Sequence, residues 1–176
     1  MVIRELKPSQ RVQGRWLVAL EDGSILRVGE GQVIDFALYA GKELTAEETD
    51  SLLSAAGREQ RRAKALELLS RKPQSRRELE KKLAEWGAEE DETAAVCDRM
   101  EQLGYLNDAE YAARVVRHYS AKGFGERKLR DELCRRGVPQ DLWTDALEQA
   151  EDPSGAIDAF VAKKLAGKTP ARQELK

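Results

Sequence analysis

The period of the hydrophobic pattern changes near residue 45. Before it, apolar residues come in short runs rich in branched and aliphatic side chains: Val2-Ile3-Arg4-Glu5-Leu6, Trp16-Leu17-Val18-Ala19-Leu20 and Ile25-Leu26-Arg27-Val28. Such runs predict strands, and Asp22-Gly23 between the second and third predicts a hairpin. A lone hairpin is marginal, so the first run is expected to add a third strand. Val33–Tyr39 predicts a short covering helix ended by Gly41.

Beyond residue 45 the apolar positions recur every three or four residues, as on one face of a helix. Thr45 and Glu48 form a capping-box pattern that opens a long helix. Its apolar positions are Leu52, Leu53, Ala56, Ala63, Leu66 and Leu69, with Gly57 as a weak point and Pro73 beyond its end. Further helices are predicted over Arg76–Trp86, Glu92–Leu103, Asp108–Ala121, Glu126–Arg136 and Pro139–Glu151. Ser75 with Glu78 and Asn107 with Glu110 are capping boxes, and Gly104, Gly123, Gly125 and Gly137 sit at turns.

The helical part repeats itself. Residues 63–87 align without a gap on residues 113–137, a shift of fifty positions. Ala63/Ala113, Ser70/Ser120, Lys72/Lys122, Arg77/Arg127, Leu79/Leu129, Leu83/Leu133 and Gly87/Gly137 are identical. Such matches on turns and core stripes encode one structural unit used twice. The organisation expected is a β-hairpin region over 1–44, a long helix and first three-helix repeat over 45–104, a second repeat over 105–152 and a partial third over 153–176. The third would hold a helix over Ala156–Ala166, a start at Thr169-Pro170 and Leu175 in the place of Leu129. The fold class is therefore mainly α: tandem three-helix repeats forming an elongated, curved solenoid, with a small N-terminal β region.

Composition narrows the function. Charged residues make up 35% of the 176 and aromatics 6%, with a mean hydropathy of −0.63. No long apolar run or signal-peptide pattern is present, so a cytoplasmic protein away from the membrane is expected. Cys97 and Cys134 are far apart and belong to no CxxC pair. No metal-ligand spacing, phosphate loop or nucleophile motif occurs, which argues against an enzyme and calls for no cofactor. His118, the single histidine, aligns with Leu68 and is expected to be structural, as are Trp86, Tyr105, Tyr111, Tyr119 and Trp143.

The net charge of −2 conceals local segregation. Arg58, Arg61, Arg62, Lys64, Arg71, Lys72, Arg76 and Arg77 crowd the first repeat. Arg114, Arg117, Lys122, Arg127, Lys128, Arg130, Arg135 and Arg136 crowd the second, with an acidic block over 85–110 between them. Taken singly, such charges read as solvated helix faces with i,i+4 pairs. Their recurrence at matched positions points to a basic track that meets nucleic acid or an acidic protein surface. The candidates are Arg71, Lys72, Arg76, Arg77, Arg117, Lys122, Arg127, Lys128, Arg130, Arg135 and Arg136.

Two blocks carry a family resemblance. One is Gly104-Tyr105-Leu106-Asn107-Asp108 with Tyr111-Ala112; the other is Gly125, Arg127, Leu129, Glu132-Leu133 and Gly137-Val138. Together with Ala65-Leu66, Leu69, Ser75, Glu78-Leu79 and Lys82-Leu83, they resemble the RecX family of bacterial regulatory proteins, which modulate RecA recombinase. In that resemblance Gly104, Tyr105, Leu106, Asp108, Tyr111, Leu129, Leu133 and Gly137 are signature positions of mainly structural role. It implies a non-enzymatic monomer that binds RecA filaments on single-stranded DNA. Such a protein inhibits RecA ATPase, strand exchange and stimulated repressor cleavage in DNA repair and the SOS response. The alternative is a direct DNA-binding module of helix-turn-helix type, with Glu126–Arg136 as its recognition helix. An RNA-binding or scaffold solenoid is a third possibility.

Overall fold

The computed structural model describes residues 1–150 and 161–166. The chain forms two compact units. One contains Met1–Lys72 and Glu80–Met100; the other contains Pro73–Leu79 and the described residues from Glu101 onward.

The first unit opens with an antiparallel sheet in the order β1 (Ile3–Pro8), β2 (Arg15–Leu20), β3 (Ile25–Gly29). The Asp-Gly turn forms as its sequence predicts. Gly23 takes a φ of +85°, where a side chain would be strained, and Asp22 Oδ1 accepts from Ser24 N at 2.9 Å. Alternation along β2 sends Val18 and Leu20 inward, where they meet Ile3, Val28, Leu38, Leu44, Leu52 and Ala56. The segment after the sheet folds back beside β1: Ile3 N donates to Lys42 O at 2.9 Å and Leu44 N to Met1 O at 2.7 Å.

The short helix lies earlier than its sequence predicts. α1 spans Glu30–Asp35 rather than Val33–Tyr39. Gln32 Oε1 accepts from Gly29 N at 2.8 Å and starts the helix early. Ala37, at φ +46°, turns the chain out of helix before Leu38 enters the core. Gly41, at φ +92°, serves the return turn and caps no helix.

α2 spans Ala46–Arg71 and runs through Gly57 as one element. Its capping box is complete, with Glu48 N donating to Thr45 Oγ1 at 3.1 Å and Thr45 N to Glu48 Oε2 at 2.9 Å. Leu53 and Leu66, expected on its apolar stripe, are exposed. Arg61 joins α2 to α4 (Glu90–Gln102) by two bonds of 2.7 Å to Glu92. Lys64 Nζ stands 4.2 Å from the ring centre of Trp86, just past α3 (Arg76–Glu85).

The second unit packs α5 (Asp108–Ala121), α6 (Glu126–Arg135), a 3-10 turn (Gln140–Leu142) and α7 (Trp143–Leu147). Its core contains Tyr111, Ala112, Val115, Val116, Leu129, Leu133, Val138 and Ala146. Asn107 caps α5 by accepting from Glu110 N at 3.1 Å, one half of the expected box. The continuous helix expected over Pro139–Glu151 is broken. Pro139 opens a 3-10 turn instead, and Trp143 Nε1 donates back to Val138 O at 3.0 Å. The expected third repeat falls on residues outside those described, except that 161–166 are helical.

Candidate cationic interface

The second unit is organised by a polar network around Arg136. Its Nη1 donates to the Tyr111 hydroxyl at 3.0 Å, its Nη2 to the Tyr119 hydroxyl at 2.8 Å, and its Nε to Glu132 Oε2 at 3.3 Å. The Tyr111 hydroxyl donates to Glu78 Oε2 at 3.0 Å, and Ser75 Oγ donates to Arg136 O. Ser75 and Glu78 also close the predicted capping box on α3, with bonds of 2.9 and 3.1 Å. Asp108 Oδ1 accepts from Arg76 N at 2.8 Å, so the α5 side of the unit also caps α3. A buried phenol, a half-buried guanidinium and a buried carboxylate thereby satisfy one another.

The charges respond to these partners. The hydrogen bond from Arg135 holds the Glu132 carboxyl below the ordinary range; burial opposes it, and the Arg136 guanidinium adds to it. Burial pushes the Tyr111 phenol up, while its bond from Arg136 works the other way. Burial works against the charged form of Arg136, yet the bonds to Tyr111 and Glu132 raise its pKa above that of an ordinary arginine.

Gly137 is fixed by shape. It ends the second helix of the pair at φ +71°, and a Cβ placed there would lie 2.8 Å from Arg77 Cβ. The Arg77 stem therefore lies against bare backbone, and glycine is required both for the turn and for the approach.

The predicted cations divide into two groups. Arg71 pairs with Glu67 at 2.6 Å, Arg76 with Glu101 at 2.9 Å and Arg130 with Glu126 at 2.8 Å; Arg135 and Arg136 pair with Glu132. Among the described residues, Lys72, Arg77, Arg117, Lys122, Arg127 and Lys128 have no carboxylate partner and are exposed. So is Arg114, which belongs to the same cationic stretch. Lys122 and Lys128 flank an aromatic pair. Their Nζ atoms lie 5.4 Å from the rings of Tyr119 and Phe124, whose centres are 5.0 Å apart.

Of the signature positions, Leu106, Tyr111, Leu129 and Leu133 are buried and Gly104 turns the chain at φ +79°. Tyr105 is the exception to the packing expectation, at 48% exposed. His118 is also exposed and meets Tyr119 edge-on. The Glu78–Tyr111–Arg136 network escapes a sequence reading, because its members are separated by 33 and 25 positions. Among the described residues no group of three or more His, Cys, Asp or Glu side chains is placed to hold a metal ion. No described helix is long and apolar enough to cross a membrane.

Known proteins supply the family. Residues 62–100 match the first three-helix domain of RecX, and residues 107–147 match the second. A regulatory protein RecX of Pseudomonas putida is 34% identical over 110 residues, covering 62% of this chain and 70% of its own length. The chain belongs to the RecX family. The RecX of Leptothrix cholodnii is 40% identical over 87 residues, which are 49% of this chain and 55% of that protein. The RecX of Levilactobacillus brevis is 29% identical over 168 residues, which are 94% of this chain and 63% of that protein. A crystal structure of regulatory protein RecX aligns with 98% of this chain and 87% of its own, with a TM-score of 0.65 at 25% identity. RecX proteins are regulators rather than enzymes. The first matched domain takes in the end of α2, α3 and most of α4; the second takes in α5, α6 and α7.

Proposed function

We propose that this RecX protein binds RecA recombinase filaments on single-stranded DNA and inhibits them. The inhibition extends to RecA ATPase, strand exchange and stimulated repressor cleavage. The protein acts as a cytoplasmic monomer through its two three-helix repeats, 45–104 and 105–152. Family membership supports the RecA assignment. The single observation that supports the working surface is the group of exposed, unneutralised cations Arg117, Lys122, Arg127 and Lys128 on α5, α6 and the turn between them.

The test is inhibition of RecA ATPase by the natural sequence and by the double variant Arg127→Glu, Lys128→Glu, with circular dichroism as the folding control. The variant is expected to inhibit less while remaining folded. Equal inhibition by both removes this surface from the mechanism, and no inhibition by the natural sequence removes the RecA assignment. If the cations meet phosphate, log K falls with log salt by about 0.7 per single-strand phosphate contacted. An acidic protein surface gives a gentler dependence, because no condensed counterions are released. The helix-turn-helix alternative is less well supported: α6 exposes Glu126 and Asp131, which phosphate repels.

A further inference from the structure

The strand region contains a second charged feature, most of whose residues lie outside the matched three-helix domains. β2 and β3 pair so that Leu17 faces Arg27 and Arg15 faces Gly29. Arg15 is the first residue of β2 and Arg27 lies on β3, an edge strand of the sheet. Both line a groove of about 390 Å³ between the hairpin and α2, and Lys64 of α2 lines it too. Two carboxylates also border it, but each is already engaged outside the groove. Glu59 is held by Arg62 at 3.0 and 3.1 Å, and Glu67 by Arg71 at 2.6 Å. Arg15 and Arg27 have no carboxylate partner among the described residues, and Lys64 has only the Trp86 ring, which leaves its charge intact. The groove therefore presents three cations that its own acids do not neutralise.

Its remaining lining selects the ligand. Val12 and Ala63 supply apolar surface, and no aromatic side chain lines the groove. Bases bound without sequence preference call for stacking platforms, which this groove does not offer. A peptide that alternates acidic and aliphatic side chains fits both features: carboxylates take the guanidinium forks, and an aliphatic side chain covers the apolar wall. We propose that this groove binds an acidic peptide segment of a partner protein. The site goes beyond the RecA reading and does not depend on it.

The probe is a fluorescein-labelled hexapeptide of three glutamates alternating with three leucines, followed by anisotropy with the full chain and no RecA. The natural sequence is expected to bind it. The double variant Arg15→Gln, Arg27→Gln is expected to weaken binding by about tenfold. Lys64→Gln leaves the hairpin sequence intact, guards against a misfolded double variant, and is expected to weaken binding about twofold. Oligothymidylate at equal charge is expected not to displace the peptide. Absent binding, equal binding by both variants, or displacement by oligothymidylate overturns the proposal. None of these outcomes touches RecA inhibition, which is measured separately.

Discussion

Segments 63–87 and 113–137 hold their helix ends in common and their side-chain partnerships apart. α2 ends at Arg71 and α5 at Ala121; α3 spans Arg76–Glu85 and α6 Glu126–Arg135. Every one of these boundaries recurs fifty positions later. Gly87 and Gly137 follow, at φ +83° and +71°. The faces between the ends do not recur. Leu66 is 37% exposed while Val116, its counterpart, is fully buried. Trp86 receives Lys64 on its ring, whereas Arg136 in the same slot bonds two tyrosines and a glutamate. The next segment diverges further: α4 has 13 residues from Glu90, but from Gln140 there is a three-residue 3-10 turn and a helix of five. Turns and helix ends depend on a few local dihedral angles, so a duplicated sequence keeps them. Packing partners come from elsewhere in the chain and are free to change.

The leucines test the shared part. Leu83→Ala and Leu133→Ala each remove a fully buried side chain and are expected to cost ~2–5 kcal/mol in denaturant melts. A cost under about half a kcal/mol for either would place that residue on the surface and break the equivalence.

The paired glycines separate the two segments. Gly137→Ala meets both a left-handed dihedral and the Arg77 stem, and is expected to cost roughly 2–4 kcal/mol. Gly87→Ala has the dihedral strain but open space around it, and is expected to cost ~1–2 kcal/mol. Equal losses in urea melts would mean that the Arg77 contact yields without cost.

Acid should reveal the Glu132 bonds, which have no equivalent at Lys82. The folded pKa of Glu132 lies below its unfolded value, so its contribution is present above the unfolded pKa of about 4.3 and is lost as pH falls through the folded one. The stability difference between the natural sequence and Glu132→Gln is therefore expected to shrink as melts move from neutral to acid pH. A difference that stays constant with pH would remove the carboxylate charge from the network.

Caps give the smallest contrast. Ser75 closes a box on α3, but Gly125 at the same place on α6 offers no side chain. Gly125→Ser is expected to gain a few tenths of a kcal/mol. A loss in thermal melts would mean that the Gly125 position has a requirement that Ser75 does not share.

Much of this fold is legible along the chain. Asp22-Gly23, Thr45 with Glu48 and Gly104 act through neighbours within a few residues, and local patterns report such neighbours well. α1 starts earlier than its apolar pattern predicts because that start depends on the Gln32 amide, which also donates to Ala55 O at 2.7 Å, 23 positions away. Tyr105 looks like a packing residue by type and spacing, yet neither property reveals which way the chain faces after Gly104. Arg136 sits in a run of cations with nothing local to set it apart; only Tyr111 and Tyr119, brought together by folding, distinguish it from Arg135. The same holds for Arg15 and Arg27, whose common groove depends on strand pairing.

The seven residues Pro73–Leu79 belong to the second unit, although the first resumes at Glu80. During synthesis this short stretch is made before α5 and α6, so Ser75 and Glu78 must wait for Tyr111 and Arg136 to follow. The two units are interleaved in time as well as in sequence. A protein cut after Met100 would yield a C-terminal piece without the Oγ that donates to Arg136 O and without the carboxylate that accepts from Tyr111. Gene truncations that respect the matched domain boundaries would thus still divide a folding unit.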